Sequence, residues 1–225
     1  MRLIHRALSN ALILVVVVMS TNINAGSTQG DIAAYLDAVR RGDLDKVQRY
    51  VDQGIIVDTR DGRDRTALLL ATHENHIAIA ELLIRSGADV NARDDINDSP
   101  YLYAGAEGRL EILRMTVTAG ADLTSVNRYG GTALIPAAHH GHVETVKYLL
   151  TTETDIDQVN FFGWTALLEA VILGDGGAAH QSIVELLLSA GANPHIADNE
   201  GVTALEHARQ MEQTAVIRLL EQNTE

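Results

Sequence analysis

The chain contains no cysteine, two phenylalanines, one tryptophan and two lysines (Lys46 and Lys147) among its 225 residues. Without cysteine there is no thiol nucleophile, no disulfide exchange and no thiolate zinc site, and no acylated cysteine can tether the chain to a membrane. The scarcity of lysine is part of a wider deficit of positive charge: 17 Lys and Arg stand against 30 Asp and Glu, for a formal charge of −13. A body this acidic repels phosphate backbones and anionic lipid, so nucleic acid is a poor partner. It attracts basic partners at low salt, and it also keeps an extended molecule soluble with no partner at all. The one long apolar run, Ala11–Met19, is too short to cross a bilayer comfortably.

That run lies behind a positive start (MRLIHR) and ahead of STNINA. Positive region, short apolar stretch and small residues are the pattern of a secretory signal peptide, with Ile23 and Ala25 suited to the positions before cleavage. The expected division is a signal peptide at 1–25, a short linker at 26–30 and a mature domain from 31 on. Loss of Arg2 and Arg6 with the leader takes the formal charge from −13 to −15. The address this implies is the periplasm. Release to the medium and retention as an uncleaved anchor are the alternatives.

What the mature chain does have is a period. Thr66, Ser99, Thr132 and Thr165 follow one another at steps of 33, and so do Gly42, Asn75, Gly108, Gly141 and Gly174. A fixed step of this length marks a stack of supersecondary units, none of which can bury its apolar face alone. Thr or Ser at a turn exit caps a helix by accepting a backbone N–H. Small residues recur on the first helix of each unit at Ala71, Ala104, Ala137, Ala170 and Ala208. Larger ones at i, i+3, i+4 spacing (Ile79, Leu82, Leu83; Ile183, Leu186, Leu187; Val216, Leu219, Leu220) form an amphipathic second helix. Gly87, Gly120 and Gly191 supply left-handed residues to end it. The step from Thr165 to Thr203 is 38, which places about five extra residues at Asp175–Ala179 between the two helices. These are either a tolerated surface insertion or a binding loop.

With GADVNARD, AGAEGRLEIL, HHGHVETVKYLL and SIVELLLSAGANP in register, residues 31–225 resemble the ankyrin-repeat family. The resemblance implies an all-α solenoid of about six helix-turn-helix units with β-turn tips. The repeats fall at about 31–60, 61–93, 94–126, 127–159, 160–197 and 198–225, the first of them a capping unit without a leading turn. The family's T-P-L-H becomes T-A-L with Leu69, Ile135, Leu168 or Glu206 at the His position, and Glu153 stands where a helix-ending Gly is usual. The resemblance also implies a non-enzymatic protein-binding module, monomeric on its own, that meets a protein partner through its turn tips and the inner face of its first helices. Exported bacterial members look similar, and support of a periplasmic enzyme such as an antioxidant enzyme is one role that likeness suggests.

Carried onto this chain, that face has an uneven composition. Both Phe and the single Trp fall in one tip (Phe161, Phe162, Trp164), with Tyr129 on the neighbouring tip. Ile172 and Leu173 lie on the helix behind, His139 and His140 on the helix before, and Arg63 and Arg65 at a polar tip nearer the N-terminus. Clustered exposed aromatics mark an interface core, though the same residues could fold back to seal the widened unit at 160–197. His139, His140 and His142 suggest metal at first sight, but neighbours on a helix are expected to diverge, and no carboxylate is spaced to complete a set. His142 shares its repeat position with His76, where the family ties the helix–helix turn to backbone. GDGG at Gly174–Gly177 lacks the Lys of a phosphate loop, and no nucleophile elbow or HExxH is present. The chain reads as a non-enzyme without metal or cofactor, and an inhibitor or immunity protein that masks a basic toxic enzyme is the competing reading.

Overall fold

The computed structural model describes residues 28–223. The expected leader at 1–25 lies outside the described residues. Within them the chain forms six helix pairs: α1 (Gln29–Arg40) with α2 (Leu44–Asp52), α3 (Ala67–His73) with α4 (Ile77–Arg85), α5 (Pro100–Ala106) with α6 (Leu110–Thr118), α7 (Leu134–His139) with α8 (Val143–Leu149), α9 (Ala166–Ile172) with α10 (Ala178–Ser189), and α11 (Ala204–Gln210) with α12 (Thr214–Glu221). The first helices stack in order from α1 to α11 as one layer, and the second helices form the other. None of the described helices is long and apolar enough to cross a membrane.

The alternation of small and large residues sets this layering. Ala71, Ala104, Ala137, Ala170 and Ala208 are fully buried, and so are Leu83, Ile112, Leu149, Leu187 and Leu220 of the second helices. A fully buried leucine contributes about 2 kcal/mol relative to an exposed one. An isolated pair would leave both its flanks wet, so the stack is the stable unit. First helices approach so closely that a Cβ on Gly105 would lie 2.6 Å from that of Ala133.

Caps close the first helices as the period implies, with one exception. The hydroxyls of Thr66, Ser99 and Thr165 accept the N–H groups of Leu69, Leu102 and Leu168, each at 3.2 Å. Thr203 forms a full capping box with Glu206, and Thr28 forms one with Asp31, so α1 begins inside the segment expected to be linker. Thr132 corrects the expectation: α7 has no side-chain cap, and the buried Thr132 hydroxyl has no partner. The cause is Pro136. Leu70, Tyr103, Glu169 and His207 hold the same repeat position and donate their N–H to the carbonyl of the capping residue. Proline has no N–H to give, and the Thr132 carbonyl accepts from Ile135 instead, at 3.3 Å.

The helix–helix turns are held by a second recurring contact. Gly42, Asn75, Gly108 and Gly141 have positive φ, with Glu212 in the last unit. A Cβ at Gly42 or Gly108 would collide with the rings of His76 and His142 of the next unit. His76 Nε2 lies 3.1 Å from the Arg40 carbonyl, His180 Nε2 2.8 Å from that of His139, and Gln213 donates to Val171 O at 2.9 Å. At α4, α10 and α12 a side chain near the start of the second helix thus reaches the end of the previous first helix.

Gly174 departs from its column. Its φ is not positive, and Gly176 (φ 66°) takes the left-handed role. The five extra residues do not all lengthen the turn: α10 has 12 residues where α4 and α6 have nine, so three extend the helix and two extend the turn. The enlarged turn is tied down by His180, whose Nδ1 is 2.8 Å from Asp175 Oδ1. Near Glu153 the helix also ends differently. Gly87, Gly120 and Gly191 adopt φ of 89°, 90° and 94°, whereas α8 stops at Leu149 and the hydroxyls of Thr151 and Thr152 donate to the Tyr148 and Leu149 carbonyls. A residue with a Cβ resists the left-handed conformation, and hydroxyls close the helix in its place.

The different states of the two threonines are testable. Thr165→Val removes a working cap and is expected to cost about 1 kcal/mol. Thr132→Val replaces a hydroxyl without a partner by a methyl and is expected to be neutral or stabilising. Urea melts of the two variants beside the unmodified protein check the contrast.

Candidate protein-binding face

Three first helices and two tips enclose a groove of about 410 Å³. Its floor is Tyr103 and Ala106 of α5, Ile135, Pro136 and His139 of α7, and Glu169 of α9. Its walls are the tips around Tyr129 and around Phe162–Trp164, with His140 and Leu173 at the helix ends.

The tips owe their shape to an Asx turn. Asn160 Oδ1 accepts the N–H groups of Phe162 and Trp164 at 2.9 and 3.0 Å, as Asn127 does for Tyr129 and Gly131. Gly130 and Gly163 have positive φ, which a hairpin-like tip requires. Tip is linked to tip by the Phe161 N–H donating to Tyr129 O at 2.9 Å. The result aligns aromatic rings along one wall: Tyr129 to Phe162 is 6.2 Å between centroids, and Phe162 to Trp164 is 5.3 Å. Tyr129 is 49% and Phe162 50% exposed, while Trp164 packs partly against the core. Arg128 lays its guanidinium 4.8 Å from the centre of the Tyr129 ring and pairs with Asp98 at 3.2 Å.

Glu169 lies in the floor, 7% exposed. Its Oε1 accepts a 2.8 Å hydrogen bond from the Asn160 amide, and its Oε2 is 3.8 Å from His139 Nδ1, beyond hydrogen-bond reach. Burial raises its pKa to about 7, although the neighbouring His140 and the Asn160 bond both favour the ionised form. Burial depresses His139, with His140 and His180 adding to the effect. The Asn160–Glu169 link has a counterpart one unit on, where Asp198 Oδ2 meets His207 Nε2 at 2.7 Å. The same two repeat positions are joined, with the acidic and the donor group exchanged.

Of the ten residues expected to form a binding face, the groove brings together six: Tyr129, His139, His140, Phe162, Trp164 and Leu173. Phe161 lies outside it, 74% exposed, with its ring against Gly130. Ile172 packs on the core. Arg63 and Arg65 lie further toward the N-terminus, where Arg65 clamps Asp61 at 2.8 Å and Arg63 approaches Asp95 at 3.8 Å. The expected divergence of His139 and His140 is corrected: their rings are 4.6 Å apart, because His140 follows the last residue of α7 and its backbone leaves the helix. His140 Nδ1 is occupied by the Ala106 carbonyl at 2.6 Å. Among the described residues no group of three or more His, Asp or Glu is placed to hold a metal ion. Sequence reasoning missed Glu169 and Asn160. The available signal was the column itself, where Glu169 shares its position with Leu70, Tyr103, Pro136 and His207.

Comparison with known proteins places this architecture. Residues 101–198 match a family model described as ankyrin repeats (3 copies), and 63–95 match the single ankyrin repeat. An ankyrin-repeat domain from Acinetobacter baumannii AYE is 52% identical with a TM-score of 0.82, over 84% of this chain and 97% of that one. The ankyrin-repeat protein EF0377 is 46% identical with the same TM-score, over 85% and 98%. The chain belongs to the ankyrin-repeat family, whose repeats are protein–protein interaction modules. Of two further likenesses, one is weaker and the other shorter. The ankyrin-repeat domain of Bcl-3, a member of the IkappaB protein family, is 29% identical with a TM-score of 0.76, over 84% of this chain and 85% of that one. A putative ankyrin repeat protein of Escherichia coli (strain K12), YahD, is 48% identical over 52 residues, which span 23% of this chain and 26% of that protein.

Two outcomes follow from the Asn160–Glu169 pair. The unfolded Glu169 carboxyl titrates near pH 4.3 and the folded one at about 7. Between those values the folded state keeps a proton that the unfolded state has lost, so this group's contribution to stability falls as pH rises through the window. Glu169→Gln removes that fall and is expected to be more stable than the unmodified protein at pH 8 by roughly 3 kcal/mol, with little difference at pH 4. Asn160→Asp sets a second carboxylate against Glu169 and removes its donor, and is expected to cost about 2 kcal/mol. Asn127→Asp is the control, because Asp fills the same tip position at Asp61, Asp94 and Asp198. Thermal melts across pH read both.

Proposed function

We propose that this chain is an exported, non-enzymatic binding module that holds one specific protein partner in the periplasm through the groove between its third and fourth tips. The observation that carries the reading is the line of half-exposed rings, Tyr129 and Phe162 beside Trp164, set over a concave floor. A chain with two Phe and one Trp has concentrated its large aromatics where they stay partly wet. Tyr and Trp in such positions are favoured anchors of interfaces. The leader-like start supports export.

The strong acidity supports a second reading, an inhibitor that masks a basic enzyme of the same compartment. The two readings separate by salt. An apolar anchor keeps its affinity from 50 to 500 mM NaCl, whereas a charge-steered inhibitor loses much of its association rate.

The test is capture from periplasmic extract by the unmodified protein and by a Tyr129→Ala/Phe162→Ala double variant. Both rings are half exposed, so the variant is expected to keep its helical circular dichroism. A partner held by the first and weakened at least tenfold in the second is the expected result. Equal capture by both would remove the groove from the reading.

A further inference from the structure

The groove contains a buried carboxylate whose needs the protein itself meets only on one side. Glu169 Oε1 is bound by Asn160, while Oε2 faces His139 at a distance too long for a hydrogen bond. Burying a carboxylate is costly unless it is paired, and an underpaired one on a cavity floor is a place where a cation gains most. The wall beside that floor is π-rich, with the Phe162 and Trp164 planes tilted 31° to each other. The chain already displays the combination once. Arg128 places a guanidinium over Tyr129 and pairs with Asp98 on the rim of the same groove. Around Glu169 the ring wall and the carboxylate are repeated and the guanidinium is missing.

We propose that the groove between Glu169 and the Phe162–Trp164 wall receives an arginine side chain projecting from the partner protein. This deepens the protein-binding reading and rests on it. The guanidinium is planar, stacks on aromatic rings and presents forked donors that suit a carboxylate oxygen, whereas lysine offers a compact, strongly hydrated charge with neither match. Asp98 and Glu107 also line the groove, so its field favours a cation even with Arg128 at the rim. The volume of about 410 Å³ leaves room for the side chain together with a short stretch of the backbone that carries it.

Trp164 is the only tryptophan in the chain, so its fluorescence reports directly on this groove. The purified protein is titrated with Ac-Gly-Arg-Gly-NH2, with the lysine analogue, and with the citrulline analogue, which keeps the shape of arginine and removes its charge. A saturable change with the arginine peptide is expected, about tenfold weaker for lysine and citrulline and lost in Glu169→Gln. The glutamine keeps the acceptor for Asn160 and removes the charge, so its fold is checked by circular dichroism and its groove by the unperturbed Trp164 emission. Equal response to citrulline, an unchanged response in Glu169→Gln, or no saturable response up to about 50 mM peptide overturns the proposal. The two readings fail separately. Loss of the captured partner in Tyr129→Ala/Phe162→Ala with full retention in Glu169→Gln leaves the binding face standing and removes the arginine. Binding of the arginine peptide with capture unaffected by the double variant does the reverse.

Discussion

Close approach of neighbouring first helices is the constraint on which everything else rests. Those helices can pack only where the facing residues are small, and the fully buried alanines of each unit supply that condition. Once the layer forms, the turns beyond it are brought into register at a fixed spacing. The tips then bond to one another, as Phe161 does to Tyr129. The second helices lean back on the previous unit through His76, His180 and Gln213. The groove is a consequence: helix ends and tips of consecutive units form a concave strip, and whatever residues occupy those columns become its lining. A stack of this kind distributes stability over nearest-neighbour contacts, which leaves the lining free to carry groups that do not help folding.

Glu169 is such a group. The three preceding units hold Leu70, Tyr103 and Pro136 at its position, and burial works against its charge. Asn160 partly offsets that cost, and the choice of amide over acid there is explained by the carboxylate it faces. In the final unit the same two positions hold Asp198 and His207. The pair is preserved as a donor meeting an acceptor, although each residue type has changed.

Much of this was legible in the sequence, because a repeat turns chain position into spatial position. The period placed Thr66, Ser99 and Thr165 at helix starts and Gly87, Gly120 and Gly191 at helix ends. It failed at Thr132, where Pro136 four residues on withdraws the N–H that would settle the first turn. The conformational column breaks at Gly174, where the insertion sets the left-handed residue at Gly176. The aromatic wall was visible as a column, but a column does not tell which way a ring turns, so Phe161 and Trp164, three residues apart, ended on different sides of the tip. Arg65 looked available until Asp61 took its guanidinium. Glu169 was hidden by abundance, one carboxylate among thirty acidic residues, distinguished only by the depth at which the stack sets it.

The five-residue insertion has a consequence for how the chain finds its order. A perfectly periodic array can dock a unit against the wrong neighbour and still satisfy most of its contacts, a familiar trap for repeat proteins. Here the lengthened α10 and the His180 bridge to the His139 carbonyl join the fourth and fifth units, and no other described second helix has that length. The exchanged Asn160–Glu169 and Asp198–His207 pairs make the flanking surfaces non-equivalent as well. Shifting the C-terminal units by one place would set these pairs and the longer helix against partners cut to a different length. The irregularity therefore acts as a registration mark, excluding slipped assemblies that an ideal consensus array would tolerate.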